Sequence, residues 1–180
     1  MTIGTSKTAV ATAEKTGKTF GNLTVDKTSN DMSWGAVFAE FTQPLRDITA
    51  QSTGLRVKRE VLTADGTAVN ADQLKVGDRV KVRITLEASH DFDFVEVSDE
   101  RAACLEPVNP LSGYDWGYYY MPGDKQTRYF FDQLSKGKHV IETEYFIDRK
   151  GEYNSGICTA KCTYSPEFSG RDRAIKLTNE

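Results

Sequence analysis

Val80-Lys81-Val82-Arg83-Ile84-Thr85-Leu86-Glu87 alternates apolar and polar residues without a break. Side chains on a strand point to opposite faces in turn, so this run has one buried face and one wet face, as in an antiparallel sheet. The same period recurs on both sides of it. Leu55, Val57 and Val61 begin the series upstream. Downstream, Ile141, Thr143, Tyr145 and Ile147 oppose Glu142 and Glu144, and Cys158, Ala160, Cys162 and Tyr164 alternate with Thr159, Lys161 and Thr163. Ile175 and Leu177 close the series. Turn signals separate the runs: Asp65-Gly66, Gly77-Asp78, Lys136-Gly137 and Asp148-Arg149-Lys150-Gly151. The last is expected to close a hairpin between the runs it joins. Amphipathic helical periodicity is almost absent; Leu45 and Ile48 allow one helical turn between Pro44 and Thr49. About seven short strands at this spacing predict an all-β antiparallel β-sandwich.

Ahead of that series the pattern is weaker. Residues 1–18 are mostly Thr, Ala, Lys and Gly and read as a weakly ordered lead-in or edge strand. Thr19–Val25 and Met32–Thr42 are expected to be extra N-terminal strands around the polar cluster Lys27-Thr28-Ser29-Asn30-Asp31. The small polar stretch Gln51-Ser52-Thr53-Gly54 marks a boundary, giving a first piece over 1–53 and a sandwich over 54–180.

Composition excludes several classes. The chain has 180 residues, 23 Lys+Arg against 26 Asp+Glu, and a net charge of -3. Nucleic-acid binding would call for a basic stripe, which is missing. No apolar run approaches the ~20 residues of a membrane-spanning helix, and Met1–Lys7 carries no hydrophobic signal segment. With 2 Trp, 8 Tyr, 9 Phe and only 5 Pro, the chain is not a disordered one.

Candidate chemistry is sparse. A Ser or Cys nucleophile needs a histidine base, and only His90 and His139 are present. Ser89-His90-Asp91 has the composition of a triad, but neighbours on a strand face opposite ways, so no relay is expected. The carboxylate pairs Asp91/Asp93 and Glu142/Glu144 read as solvated faces, and no Gly-rich phosphate loop occurs. Cys158 and Cys162, on one face of a strand, would lie about 13 Å apart, too far for a bridge between them. The three cysteines read as small buried residues, or as a bridge from Cys104 to Cys158 or Cys162 with one thiol left over. A second Cys/His pair to complete a metal site is missing, so no metal and no cofactor are expected. The conspicuous feature is Tyr114-Asp115-Trp116-Gly117-Tyr118-Tyr119-Tyr120-Met121-Pro122. Three successive tyrosines cannot all face a core, so Trp116, Tyr118, Tyr119 and Tyr120 are candidate contact residues for another domain or partner; the alternative is an aromatic seal over the sheet edge.

Several stretches in order resemble one family. They are Trp34–Phe41, Val76–Ile84, Asp93-Phe94-Val95, Asp99-Glu100-Arg101-Ala102-Ala103, Leu105-Glu106-Pro107, Ser112-Gly113-Tyr114, Phe130–Gly137 and Tyr164-Ser165-Pro166-Glu167-Phe168. Together they are similar to the C-terminal end of bacterial alpha-2-macroglobulin-like proteins, closest to the Bacteroidetes-type branch. The resemblance implies a macroglobulin (fibronectin-III-like) sandwich over 54–180, with 1–53 as the tail of a CUB-like module. It implies a non-catalytic, structural and interaction domain of a large inhibitor that entraps proteases in the cell envelope or periplasm. The partners implied are other domains of the same inhibitor, with proteases as targets of the whole. The family's thioester motif, Cys-x-Glu-Gln, is matched at none of the three cysteines. Cys104 stands where the family pattern usually has Gly, which singles it out for a bridge. The missing signal segment then fits a chain cut from a longer secreted protein. A different class, a free-standing adhesin or carbohydrate-binding module using the aromatic loop as a platform, is the competing expectation.

Overall fold

Each alternating run becomes a strand because one face finds apolar partners and the other finds water. The computed structural model describes residues 30, 32, 42–69 and 74–180. The lead-in and the two expected N-terminal strands, the second apart from its end residues, lie outside the described residues. A 3-10 turn at Leu45–Asp47 occupies the expected helical connector. Among the described residues thirteen strands follow: β1 (Gln51–Thr53), β2 (Leu55–Thr63), β3 (Arg79–Ala88), β4 (Phe92–Glu100), β5 (Leu105–Pro107), β6 (Gly113–Asp115), β7 (Tyr118–Pro122), β8 (Gln126–Leu134), β9 (Gly137–Ile147), β10 (Gly151–Asn154), β11 (Cys158–Cys162), β12 (Ser169–Asp172) and β13 (Lys176–Asn179).

Eleven of these form one antiparallel ladder in the order β5-β9-β3-β2-β1-β12-β11-β4-β8-β7-β6, and β10 pairs with β13 separately. The ladder doubles over at β1. That strand pairs three residues with β12 but only Thr53 with Leu55 of β2. Gly54 makes the corner with φ 76°, a conformation that L side chains rarely adopt. Gly170 on β12 runs so close beneath β2 that an added Cβ would sit 2.2 Å from the Leu55 carbonyl oxygen. The two halves of the ladder thus become two layers, β5-β9-β3-β2 and β12-β11-β4-β8-β7-β6. One compact unit spans Thr42–Glu180, and within it Gln51–Thr53 pair with β12.

The core lies between the layers. Val57, Val80, Val82, Ile84, Leu86, Ile141, Tyr145 and Ile147 meet Val95, Val97, Tyr129, Phe131, Cys158 and Ala160. Hydroxyls tie the layers together inside it: Thr127 Oγ1 lies 2.9 Å from the Tyr145 hydroxyl, and Tyr129 OH lies 2.7 Å from Thr143 Oγ1. Burial pushes the Tyr129 and Tyr145 phenols up, so both stay protonated and available as donors. On the outer face of β3, Lys81 and Arg83 reach Glu142 at 3.3 and 2.6 Å, while Thr85 is buried rather than wet.

Two expectations fail. No hairpin forms at Asp148–Gly151: β9 pairs with β3 and β5, whereas β10 pairs with β13 and β11 with β4 and β12. The segment carries the chain from one layer to the other, because the β9 edge facing it is already occupied by β5. Tyr164 also leaves its alternation and is 77% exposed, since the strand ends at Cys162 and the chain bends.

One polar pair crosses the core. Arg59 stands at an inward position of β2 and Asp99 at an inward position of β4, each with 2% of its side chain exposed. Arg59 Nη1 donates to Asp99 Oδ1 at 2.5 Å and to the Glu100 carbonyl at 3.2 Å. Nη2 donates to Ser155 Oγ at 2.6 Å and to the carbonyls of Gly156 and Arg173 at 2.8 and 3.1 Å. Burial pushes the Asp99 carboxyl up against the pull of Arg59.

Removing one partner leaves a buried charge uncompensated. Arg59→Ala or Asp99→Ala is expected to cost about 3–5 kcal/mol in urea unfolding, with the double replacement Arg59→Met/Asp99→Leu recovering most of it. Gly170→Ala is expected to lower the urea midpoint too, by about 1–3 kcal/mol of overpacking at the Leu55 backbone.

Candidate functional site

The aromatic stretch folds as a hairpin because strand alternation sorts its rings. β6 and β7 pair Asp115 with Tyr118, leaving Trp116 and Gly117 as the two-residue turn. Trp116 N donates to Asp115 Oδ1 at 2.8 Å, and Gly117 takes φ 88°. Tyr118 and Tyr120 face inward. The Tyr118 ring meets Tyr129 and Phe131 at centroid distances of 5.6 and 5.3 Å, and Tyr120 meets Tyr129 at 5.9 Å. The Tyr120 hydroxyl donates to the Asn109 carbonyl at 2.9 Å. Burial, helped by the Asp115 carboxylate, pushes the Tyr118 phenol up to about 12. Tyr119 turns the other way and packs edge-on against Tyr114 at 5.1 Å.

The four candidate contact residues therefore divide. Tyr120 is core and Tyr118 is half core, and both hold the hairpin against β8. Tyr119 lies on the outer face, and Trp116, 95% exposed, stands at the tip. The inner rings seal the sheet edge, while Tyr119 and Trp116 lie outside the core.

A cavity of about 690 Å³ opens beside the hairpin, where β4 begins and β8 ends. Asp93, Phe94, Tyr114, Gly117, Tyr118, Phe130, Asp132 and Gln133 line it. Periodicity alone did not point to it, because its carboxylates and two of its rings, Phe94 and Phe130, come from β4 and β8 and only Tyr114 and Tyr118 from the conspicuous stretch. A second cavity of similar size lies around Glu100, Arg101, Glu106, Asp124 and Lys125. Arg101 donates there to Thr127 Oγ1 and the Asp124 carbonyl, both at 3.0 Å, and Ala102 is fully buried.

The remaining candidates resolve as follows. Ser89 and His90 lie in a bend rather than on a strand, so Ser89 Oγ reaches His90 Nδ1 at 2.9 Å, a contact not expected from alternation. Asp91 instead accepts from Lys136 N, and the His90 ring lies against Phe92 and Phe168 at 4.0 and 5.0 Å. The Ser–His contact thus lacks its carboxylate. Cys104, Cys158 and Cys162 are free, buried thiols. Cys162 Sγ lies 3.2 Å from the Asp93 carbonyl, and burial pushes the thiols of Cys104 and Cys158 up. No group of three His, Cys, Asp or Glu is arranged for a metal among the described residues. A thiol reagent such as DTNB is expected to react with none of the cysteines in the folded chain and with three after unfolding without reductant; one reactive thiol would instead reveal a Cys104 bridge.

Residues 54–167 match the family model of the bacterial alpha-2-macroglobulin MG10 domain. No curated protein matches the chain. Among solved structures it is similar to native alpha-2-macroglobulin from Escherichia coli, spanning domain MG7 to the C-terminus, at 18% identity and TM-score 0.67. That match covers 76% of this chain and 25% of the other. Escherichia coli alpha-2-macroglobulin activated by porcine elastase is similar at 18% and 0.67, over 74% of this chain and 14% of that one. Salmonella alpha-2-macroglobulin reacted with methylamine follows at 18% and 0.64, over 73% and 10%. The chain thus spans a quarter or less of these proteins.

Proposed function

Since the chain belongs to the bacterial alpha-2-macroglobulin MG10 domain family, we propose that it is a non-catalytic structural and interaction domain of a larger protease-trapping protein of the cell envelope. Residues 1–53 would be the tail of a CUB-like module and 54–180 the last macroglobulin sandwich. The partners in this reading are other domains of the same protein, and proteases are targets of the whole molecule. That the Escherichia coli relative is activated by elastase supports a protease as the trigger. A rigid sandwich suits such a role, because packed interfaces switch between discrete arrangements rather than stretch.

The observation that carries the contact role is the split within the hairpin. Tyr118 and Tyr120 are bonded and stacked into the sandwich, so the tip is held stiffly, and Trp116 stands 95% exposed on it. A large ring on a rigid support loses little entropy when it docks, which is the profile of a contact anchor. The polar face of β3 is a weaker docking surface. Its charges are already neutralised across strands by Glu142, and Arg56 reaches Glu87 at 3.6 Å.

Trp116→Ala with Tyr119→Ala is expected to leave the unfolding midpoint of the 180-residue chain within about 1 kcal/mol of the parent, because neither ring is in the core. In the intact protein the same pair is expected to reduce protease trapping. Unchanged trapping would remove the hairpin from the reading.

A further inference from the structure

The cavity beside the hairpin has a chemistry that the contact role of Trp116 does not use. Phe94 is the single non-glycine residue with positive φ, 54°, among the described residues. A bulky side chain in that conformation is a strained one and needs surrounding structure to hold it. The hold is visible: the Phe94 carbonyl accepts from Thr163 N at 2.8 Å, and its ring packs edge-on against Tyr164 at 5.2 Å. The result is a break in alternation. Phe92 and Val95 are both buried, so the two residues between them, Asp93 and Phe94, both face outward. The bend thus delivers a carboxylate and an aromatic ring to the same cavity.

Across the ladder, Asp93 pairs with Gln133, one position from Asp132. Asp132 also lines the cavity, as do Tyr114, Tyr118 and Phe130. Among the described residues neither the Asp93 nor the Asp132 carboxylate takes a hydrogen bond or an ion pair; the bond near Asp93 is to its backbone carbonyl. The two carboxylates stand on neighbouring strands, and no described residue pairs with either of them. Aromatic walls with two unpaired carboxylates favour an organic cation, which gains from ring faces and anions together. The chain shows a small instance of that chemistry, with Arg128 stacked over Phe130 at 5.8 Å. The cavity adjoins β6, the last strand of the ladder, whose outer backbone edge has no strand partner among the described residues. An unpaired strand edge is a surface to which an extended peptide can add.

We propose that the cavity bounded by Phe94, Phe130 and Tyr114, with Asp93 and Asp132, is a binding site for a lysine or arginine side chain presented by a polypeptide segment. The inference deepens the proposed docking role, on which it rests for the identity of the segment as part of a neighbouring domain. The bend at Phe94 is then part of the site, set by Thr163 and Tyr164 just past β11 rather than by the ligand.

The test uses the isotope-labelled 180-residue chain and capped tripeptides, acetyl-Gly-Lys-Gly-amide and acetyl-Gly-Arg-Gly-amide, followed by two-dimensional NMR. Saturable shifts confined to the amides around Asp93, Phe94, Gly117 and Gln133 are expected, shrinking with added salt. The norleucine tripeptide, equal in length but uncharged, should produce none. Asp93→Asn with Asp132→Asn should weaken the cationic peptides by about tenfold or more. Asp132→Asn alone should weaken them in smaller measure. No localised shift with either cationic peptide would overturn the proposal. So would equal shifts from norleucine, shifts from calcium alone, shifts from chitobiose in place of the cations, or full binding by the double variant. None of these failures would alter the trapping result for Trp116 and Tyr119, which stands on its own.

Discussion

The buried contact between Arg59 and Asp99 is the constraint around which the sandwich is arranged. Burying two charges is costly, and the cost is offset only when every remaining donor and acceptor is placed. Arg59 satisfies that condition at its two terminal nitrogens, which draw five acceptors from β4, the segment at Ser155–Gly156 and the carbonyl of Arg173. Its Nε remains buried without a partner. Ser155 Oγ also accepts from Ile175 N, so the β10–β13 pair is fastened to the same centre. An apolar pair could fill the space, but it would not specify which loop sits where. The ion pair therefore sets the arrangement of the segments that cross between layers, and the apolar core supplies the driving force.

Several of the described stretches that carry the family resemblance are structural joints. Arg101 ties its turn to Thr127 and Asp124, Ala102 is sealed into the core, and Pro107 pairs with Tyr145 at the end of β5. Phe168 closes a turn with Ser165 and packs on Phe92. None of these residues is arranged for chemistry. Trp116 and Tyr119 face outward at the hairpin, and Asp93, Phe94 and Asp132, which belong to two other stretches of the resemblance, face the cavity beside it.

Much of the fold was legible, for a simple reason. Alternation is a local property of a half-buried strand, so β3, β9 and β11 could be read directly, along with the buried faces of Val80 to Leu86 and Ile141 to Ile147. Arg59 and Asp99 left a trace as well: each is a charge in the inward register of an otherwise apolar series, Leu55-Val57-Arg59 and Val95-Val97-Asp99. That a charge falls on the buried face signals a buried partner, although which partner is a non-local matter. The hairpin expected at Asp148–Gly151 failed because turn chemistry is local, whereas pairing depends on which edge is free. Ser89 met His90 because the chain bends there, a bend that alternation does not encode.

The aromatic stretch shows the division most clearly. By itself the sequence determined that three consecutive tyrosines must be split between two faces, since a strand's period is two. Only the tertiary structure decided that Tyr118 and Tyr120 lie against Tyr129, that Tyr119 and Trp116 stay outside, and that Phe94 turns outward beside them. Those outcomes depend on β8 and β11 being neighbours of strands far away in the chain. Local periodicity assigns a residue to a face; only the packing of distant strands assigns that face to core, cavity or solvent.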